Sequence, residues 1–457
     1  MNGKIEKKYE NLFRVLREQE AGVASVEGFP ISLCLDPASA CSLRCPFCIH
    51  GESSLSRTYK VMNFDLFRSI IEESGPYLFQ VDLFNWGEPL LNKRLLEMIA
   101  LLKGYDISIR LSTSLALPIS EEFLEGLILS GINYIVISID GMSPETYATY
   151  RVGGEFHLAM SNLEKLAKLK HRLKLDKPRL EWQYLVFSFN EHELPKAVQY
   201  ARKIGVEFRP AAPYINLDQH PDWLASDDRF VREPYKASKS LRENRPRGAS
   251  GNASLPSEEV VAMPAGREDY ETKRTIDRDG AIRPVRLTDL NSPAPRRYRC
   301  DWHYMKACIN ADGTLSPCCG LYPGEPNWGE LGGVHFHELW NNSSFREARS
   351  TLAAGRPDDA SRIICSQCPL PEIQHDGRSV LLDALIDAPR RYRKLARPIL
   401  RGLPWRDRLL RRSLRIAGKM LRCLPYRYRD VLRRRLGYEM QEGILRRALK
   451  VFLRSAT

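Results

Sequence analysis

Cys41, Cys45 and Cys48 stand at a C-x3-C-x2-C spacing in the segment CSLRCPFC, and they are the residues with the most evident capacity for chemistry. Three thiolates on one short loop can ligate three irons of a [4Fe–4S] cube. The fourth iron then keeps an open position, as catalytic metal sites require. The competing reading is a zinc site with His50 as a fourth ligand. A second group follows far along the chain, with Cys300, Cys308, Cys318, Cys319, Cys365 and Cys368. Four thiolates accept either zinc or an iron–sulfur cluster, so spacing alone leaves that choice open. Cys34, flanked by apolar strand residues, reads as a core thiol, and Cys423 as a packed or idle one.

The chain as a whole favours metal over disulfide for these cysteines. Its N-terminus, MNGKIEKKYENLFRVLREQE, has the pattern of a charged helix and lacks the apolar stretch of a signal peptide. No run of about 18 apolar residues is present, so no membrane span is expected. Both features predict a cytoplasmic protein, where structural disulfides are rare. At 457 residues the chain is too long for one ordinary core, and its 43% hydrophobic content is typical of a soluble globular protein. Its net charge of +13 is uneven: residues 390–457 hold 22 Lys/Arg against 4 Asp/Glu, or +18, which leaves −5 for the rest.

The elements that must position the cysteines are legible from periodicity. Strand patterns fall at residues 31–36, 79–86, 106–112, 133–140, 179–187 and 206–210, with segments of helical period between them. Repeated strand–helix units imply a parallel sheet. Six units predict an α/β fold, a partial (β/α)6 TIM-like barrel, with chemistry at the C-terminal strand ends. The first cysteine loop follows the first strand. Residues 1–30 form the leading helix, 31–214 the core, and 215–297, rich in Gly, Pro and Ser, a linker or insert. Within 298–375, ADGTLSPCC predicts a hairpin around an Asp-Gly turn and HELWNNSSFREAR a helix. Residues 376–457 form a basic helical tail.

With these residues in place, the sequence resembles the radical S-adenosylmethionine (SAM) superfamily, whose signature is the same cysteine triple with an aromatic residue, here Phe47, before the last. The resemblance implies that the open iron binds SAM and that one electron cleaves it to a 5′-deoxyadenosyl radical, which abstracts hydrogen from a substrate. Asn85-Trp86-Gly87-Glu88-Pro89 is similar to the family's GGEP element, with Trp86 replacing its first glycine; this implies that Gly87 and Glu88 contact SAM. Ser112-Thr113-Ser114 and Ser138-Ile139-Asp140-Gly141 occupy the places of two further strand-end elements. Ser112, Ser138 and Gln183 are therefore expected to line the SAM site; the competing reading makes them structural polar residues. No residue stands out as a general acid or base.

The C-terminal block resembles the SPASM/twitch module, which holds an auxiliary cluster. The resemblance implies Cys300, Cys318, Cys365 and Cys368 as its ligands and Cys308 and Cys319 as extras. With four protein ligands, that [4Fe–4S] cluster would serve as an electron acceptor. The implied protein is a two-cluster oxidoreductase supplied by a donor such as flavodoxin or ferredoxin, acting on a carbohydrate-like small molecule. A peptide-modifying maturase is the alternative within the family. A non-catalytic protein with two zinc sites and a basic arm is the alternative from another class.

In the tail, Leu410, Leu414, Ala417, Leu421 and Leu424 form an apolar stripe flanked by arginines. Such a helix either meets anionic lipid at the inner face of a membrane or packs on the acidic body of the protein. Nucleic-acid binding ranks behind both, because no reading module accompanies the charge.

Overall fold

The structure is a computed structural model that describes residues 2–48, 59–217, 219–232, 275–276, 282–283, 300, 302–319 and 328–354. His50, Cys365, Cys368, Cys423 and the basic tail lie outside the described residues.

Six parallel strands alternate with helices as the periodicity predicts. They are β1 (Ser32–Leu35), β2 (Gln80–Leu83), β3 (Ser108–Thr113), β4 (Tyr134–Ser138), β5 (Arg179–Leu185) and β6 (Glu207–Ala211). A leading helix α1 (Asn2–Ala21) precedes them, and α2 (Phe64–Ser74), α3 (Leu95–Gly104), α4 (Glu121–Leu129), α5 (Pro144–Tyr150), α6 (Phe156–Arg172) and α7 (Leu194–Ile204) fall between them. The short α5 is an addition to the expected series. Helix starts follow local chemistry: Asn63, Ser120 and Ser143 each accept a backbone N–H of the first turn of α2, α4 and α5. Helix α2 buries Phe64, Phe67, Ile70, Ile71 and Ser74, one face at helical spacing. Under the helices lie Leu33, Val81, Leu83, Ile109, Leu111, Ile135 and Ile137, all fully buried. The alternate residues share the other sheet face and include Cys34, Asp82, Arg110, Ser112, Ser138, Glu181 and Gln183. The result is a mixed α/β protein with a partial barrel whose second face is polar.

The predicted hairpin exists, and the sheet extends into it. After a helical turn α8 (Trp302–Met305), strand β9 (Lys306–Ile309) pairs in parallel with β1, and β10 (Leu315–Ser316) pairs antiparallel with β9. The strand order is β10-β9-β1-β2-β3-β4-β5-β6. Gly313, at φ +89°, makes the turn between β9 and β10. Helices α9 (Phe336–Trp340) and α10 (Ser343–Ala353) follow. A short hairpin of β7 (Thr275–Ile276) and β8 (Ile282–Arg283) stands within the expected linker.

The start of that linker belongs to the core. Ile215, Leu217, Ala225 and Val231 are buried, and the Ser188 N–H donates to the Trp223 carbonyl at 3.1 Å. Gly/Pro-rich composition marks where chain regularity stops, not where packing stops.

Candidate functional site

The first cysteine loop leaves the C-terminal end of β1 and is held from two sides. The Arg44 N–H donates to the Val152 carbonyl at 2.8 Å, and Cys48 N–H to the Cys45 carbonyl at 3.0 Å. On the other side, the Glu88 N–H donates to the Ala40 carbonyl at 2.7 Å. A Cβ at Gly87 would sit 1.7 Å from the Ala38 carbonyl oxygen. Only glycine permits this approach of the turn after β2 to the cysteine loop.

Cys41 and Cys45 each have a donor directed at sulfur. Leu43 N–H donates to Cys41 Sγ at 3.4 Å, and Arg151 Nη1 to Cys45 Sγ at 3.8 Å. Burial pushes the Cys41 thiol up to about 12 and raises that of Cys45, with Arg151 opposing the rise at Cys45. Bare thiols here hold their protons, so a metal must displace them on binding. Hydrogen-bond donors aimed at sulfur suit anionic ligands, and this donor set fits a cluster. Among the described residues, no three His, Cys, Asp or Glu side chains converge on a point for one metal ion. A cube asks for one sulfur at each of three corners instead.

Arg151 is a site residue that motif reading passed over. Its Nε donates to Asp140 Oδ2 at 2.6 Å, while the Leu185 N–H donates to Asp140 Oδ1 at 2.6 Å. The Ser-Ile-Asp-Gly element thus ties β4, β5 and the cysteine loop together through one buried carboxylate. The available signal was an arginine 11 positions after Asp140, on the far side of α5.

The Glu88 carboxylate, 2% exposed, has both oxygens engaged by protein. Oε1 accepts from Thr113 Oγ1 at 2.7 Å and from the Leu90 N–H at 3.2 Å. Oε2 accepts from the Ser114 N–H at 2.9 Å and Ser114 Oγ at 2.8 Å. These bonds fill the roughly four acceptor positions of a carboxylate. Glu88 is therefore a clamp between the turn after β2 and the end of β3, and Thr113 and Ser114 rather than Ser112 hold it.

Ser138 and Gln183 are direct register partners, and Gln183 is paired in turn with Arg209. The Gln183 side-chain Oε1 accepts from Arg209, which also donates to Glu181 Oε1. Arg209, in the strand VEFRP, is a second residue that sequence reasoning missed. Ser112 lies two rows earlier on the same face as Arg110, half-buried. Phe47 packs against Tyr150, Phe187, His220 and Trp223 at ring separations of 6.0, 6.5, 5.4 and 5.3 Å. It forms an aromatic wall beside Cys48.

Of the second group, Cys300, Cys318 and Cys319 pack around the buried trio Cys34, Trp302 and Cys308. Cys300 and Cys318, two of the four expected ligands, thus lie against one buried cluster, and the other two, Cys365 and Cys368, fall outside the described residues. That cluster includes Cys34 from the barrel, which the sequence reading had placed in ordinary apolar core. Thiols gathered in this way fit an iron–sulfur group.

A family model described as the radical SAM superfamily matches residues 36–175, and one described as an iron–sulfur cluster-binding domain, SPASM, matches residues 300–369. The PqqA peptide cyclase of Rhodopseudomonas palustris is 30% identical over 370 residues, 79% of this chain and 85% of that protein. A probable GTP 3′,8-cyclase of Methanococcus maripaludis is 25% identical over 260 residues, 55% of this chain and 83% of that protein. Among solved structures, Streptococcus suis SuiB bound to S-adenosylmethionine aligns with 82% of this chain and 77% of that one, at 15% identity and a TM-score of 0.49.

Proposed function

The chain belongs to the radical SAM superfamily and carries its SPASM iron–sulfur module; from that premise we propose that it removes hydrogen from a peptide substrate to form an oxidised, cross-linked product. The support is the match to a peptide cyclase that spans 79% of this chain, a longer stretch than either family model covers. Membership selects the catalytic reading over a pair of zinc sites with a basic arm. When bound, the N-terminal cluster and SAM supply a 5′-deoxyadenosyl radical that takes a hydrogen atom, and the auxiliary cluster supplies an acceptor for the electron left behind.

In this reading Cys41, Cys45 and Cys48 hold the first cluster, and Leu43 N–H and Arg151 stabilise their anionic sulfurs. Gly87 allows the turn that receives SAM to lie on the cysteine loop, while Glu88 fixes that turn to Thr113 and Ser114. Phe47 with Tyr150, His220 and Trp223 keeps water from one side of the site. Ser138, Gln183 and Arg209 form a polar row on the inner face for SAM or substrate. Cys300 and Cys318, with Cys365 and Cys368 from outside the described residues, hold the auxiliary cluster. An external reductant of the flavodoxin or ferredoxin kind supplies the first electron.

A second reading is favoured by that polar face. Asp82, Arg110, Glu181, Gln183 and Arg209 suit a small polar substrate such as a sugar-like alcohol, oxidised to a ketone. Anaerobically reconstituted protein with reductant and SAM separates the two. Release of 5′-deoxyadenosine stimulated by peptides, with a peptide product lighter by two hydrogens, supports the first. Stimulation by polyols or sugars alone supports the second. Iron-loaded protein that never cleaves SAM would overturn both.

A further inference from the structure

Cys34 and Cys308 have no place in the ligand set above, yet the structure puts them together. They are register partners on β1 and β9, 3% and 0% exposed. Cys34 Sγ donates to the Phe84 carbonyl at 3.1 Å. Asn85 Nδ2 donates to Cys308 Sγ and to Asn310 Oδ1, each at 3.4 Å. Phe84 and Asn85 begin the turn that carries Gly87 and Glu88. On the other side, Cys300, Cys318 and Cys319 pack against the pair and against Trp302. Two buried thiols and the half-buried Asn85 amide therefore bridge the SAM turn and the auxiliary cysteines.

We propose that Cys34 and Cys308 are positioning residues of the auxiliary centre: Cys308 turns its S–H to the cysteine shell packed against it, while Cys34, anchored on the Phe84 carbonyl, and Asn85 fasten Cys308 to the SAM turn. The inference rests on the auxiliary cluster being present. Four cysteine ligands complete a cube without either thiol, so the pair is left to act through hydrogen bonding. Hydrogen bonds to the sulfurs of a cluster favour its more negative, reduced form and raise its potential.

The test uses the full-length holoenzyme, reconstituted anaerobically, with iron and sulfide counts and a spectroscopic redox titration of each cluster. Cys308→Val fills similar volume without a donor. Its iron count stays at about eight, the content of two cubes. The ratio of reduced to oxidised auxiliary cluster at a fixed potential falls about tenfold, equivalent to about 59 mV for a one-electron couple. Cys308→Ser, which keeps a donor, stays near the parent value. Asn85→Leu, outside the thiol pair, moves the ratio in the same direction as Cys308→Val and carries the test if that variant does not fold. An unmoved ratio in both variants at full iron content overturns the inference and leaves a packing pair. Loss of about four irons in Cys308→Val, with the fold intact, also overturns it by making Cys308 a ligand. A parent protein that loads only one cluster instead overturns the auxiliary-cluster reading beneath it.

Discussion

Glu88 accepts hydrogen bonds from Leu90, Thr113 and Ser114, so Glu88→Gln replaces half of its acceptor capacity with N–H groups facing donors. Bonds to a charged acceptor contribute about 1.5–3 kcal/mol each. The variant should lose at least about 2 kcal/mol in urea unfolding and bind SAM more weakly by titration calorimetry. Gly87→Ala should be more severe, because its Cβ meets a backbone oxygen that cannot swing aside. Reconstituted protein should then lack the first cluster, read as loss of about four irons. Cysteine spacing, Gly87 and Glu88 were legible because they sit in compact motifs. Arg151 and Arg209 were not, because their partners Cys45, Asp140, Glu181 and Gln183 come from other strands and loops. Arginines are common on surfaces, and only the fold shows which one meets a buried carboxylate.

At the level of elements, β9 is held by more than its ladder. Lys306 Nζ lies 2.7 Å from Asp82 Oδ2, with both side chains 2% exposed, and 4.6 Å from the Trp302 ring centre. Lys306→Met leaves the buried Asp82 carboxylate with the neutral Gln80 amide, at 2.9 Å, and the more distant Arg110 cation, at 3.7 Å. A cost of about 3–5 kcal/mol is expected in thermal or denaturant unfolding, and Asp82→Asn in the same chain should recover part of it. His303 gives the hairpin region a pH dependence. Burial, with a contribution from Arg349, holds its pKa down at about 3, against an ordinary value of 6.5. The unfolded chain therefore binds the proton first as pH falls. Its contribution to stability is intact above about pH 6.5 and is lost progressively below that toward pH 3. His303→Gln should flatten stability against pH in that window, followed by circular dichroism.

Periodicity located every strand from β1 to β6, since short apolar runs set between segments of helical period are a local property. It also marked the hairpin. It could not say that β9 would lie against β1, because KACI carries strand propensity but no address. The pairing follows from the edge of β1 needing a partner and from Asp82 needing a cation.

Across the whole molecule, the N-terminal segment and the C-terminal helices close on each other. Arg349, fully buried, donates to the carbonyls of His303, Trp340 and Ala24. Asn341 exchanges hydrogen bonds with Val26 in both directions, and Tyr304 Oη donates to the Val23 carbonyl at 3.0 Å. Among the described residues, the barrel and the cysteine module are thus packed against each other. A chain ending at residue 232 should bare the β1 edge and self-associate, seen by size-exclusion chromatography.

The same pairing imposes a timetable on biosynthesis. Lys306 follows Asp82 by 224 positions, so at about 5–20 residues per second the nascent sheet waits on the order of 10–45 s for its last partner to leave the ribosome. During that interval β1 has an open flank and Asp82 lacks its ammonium. Chaperone cover, or slow delivery of iron until translation has passed the second cysteine group, would protect the half-made enzyme.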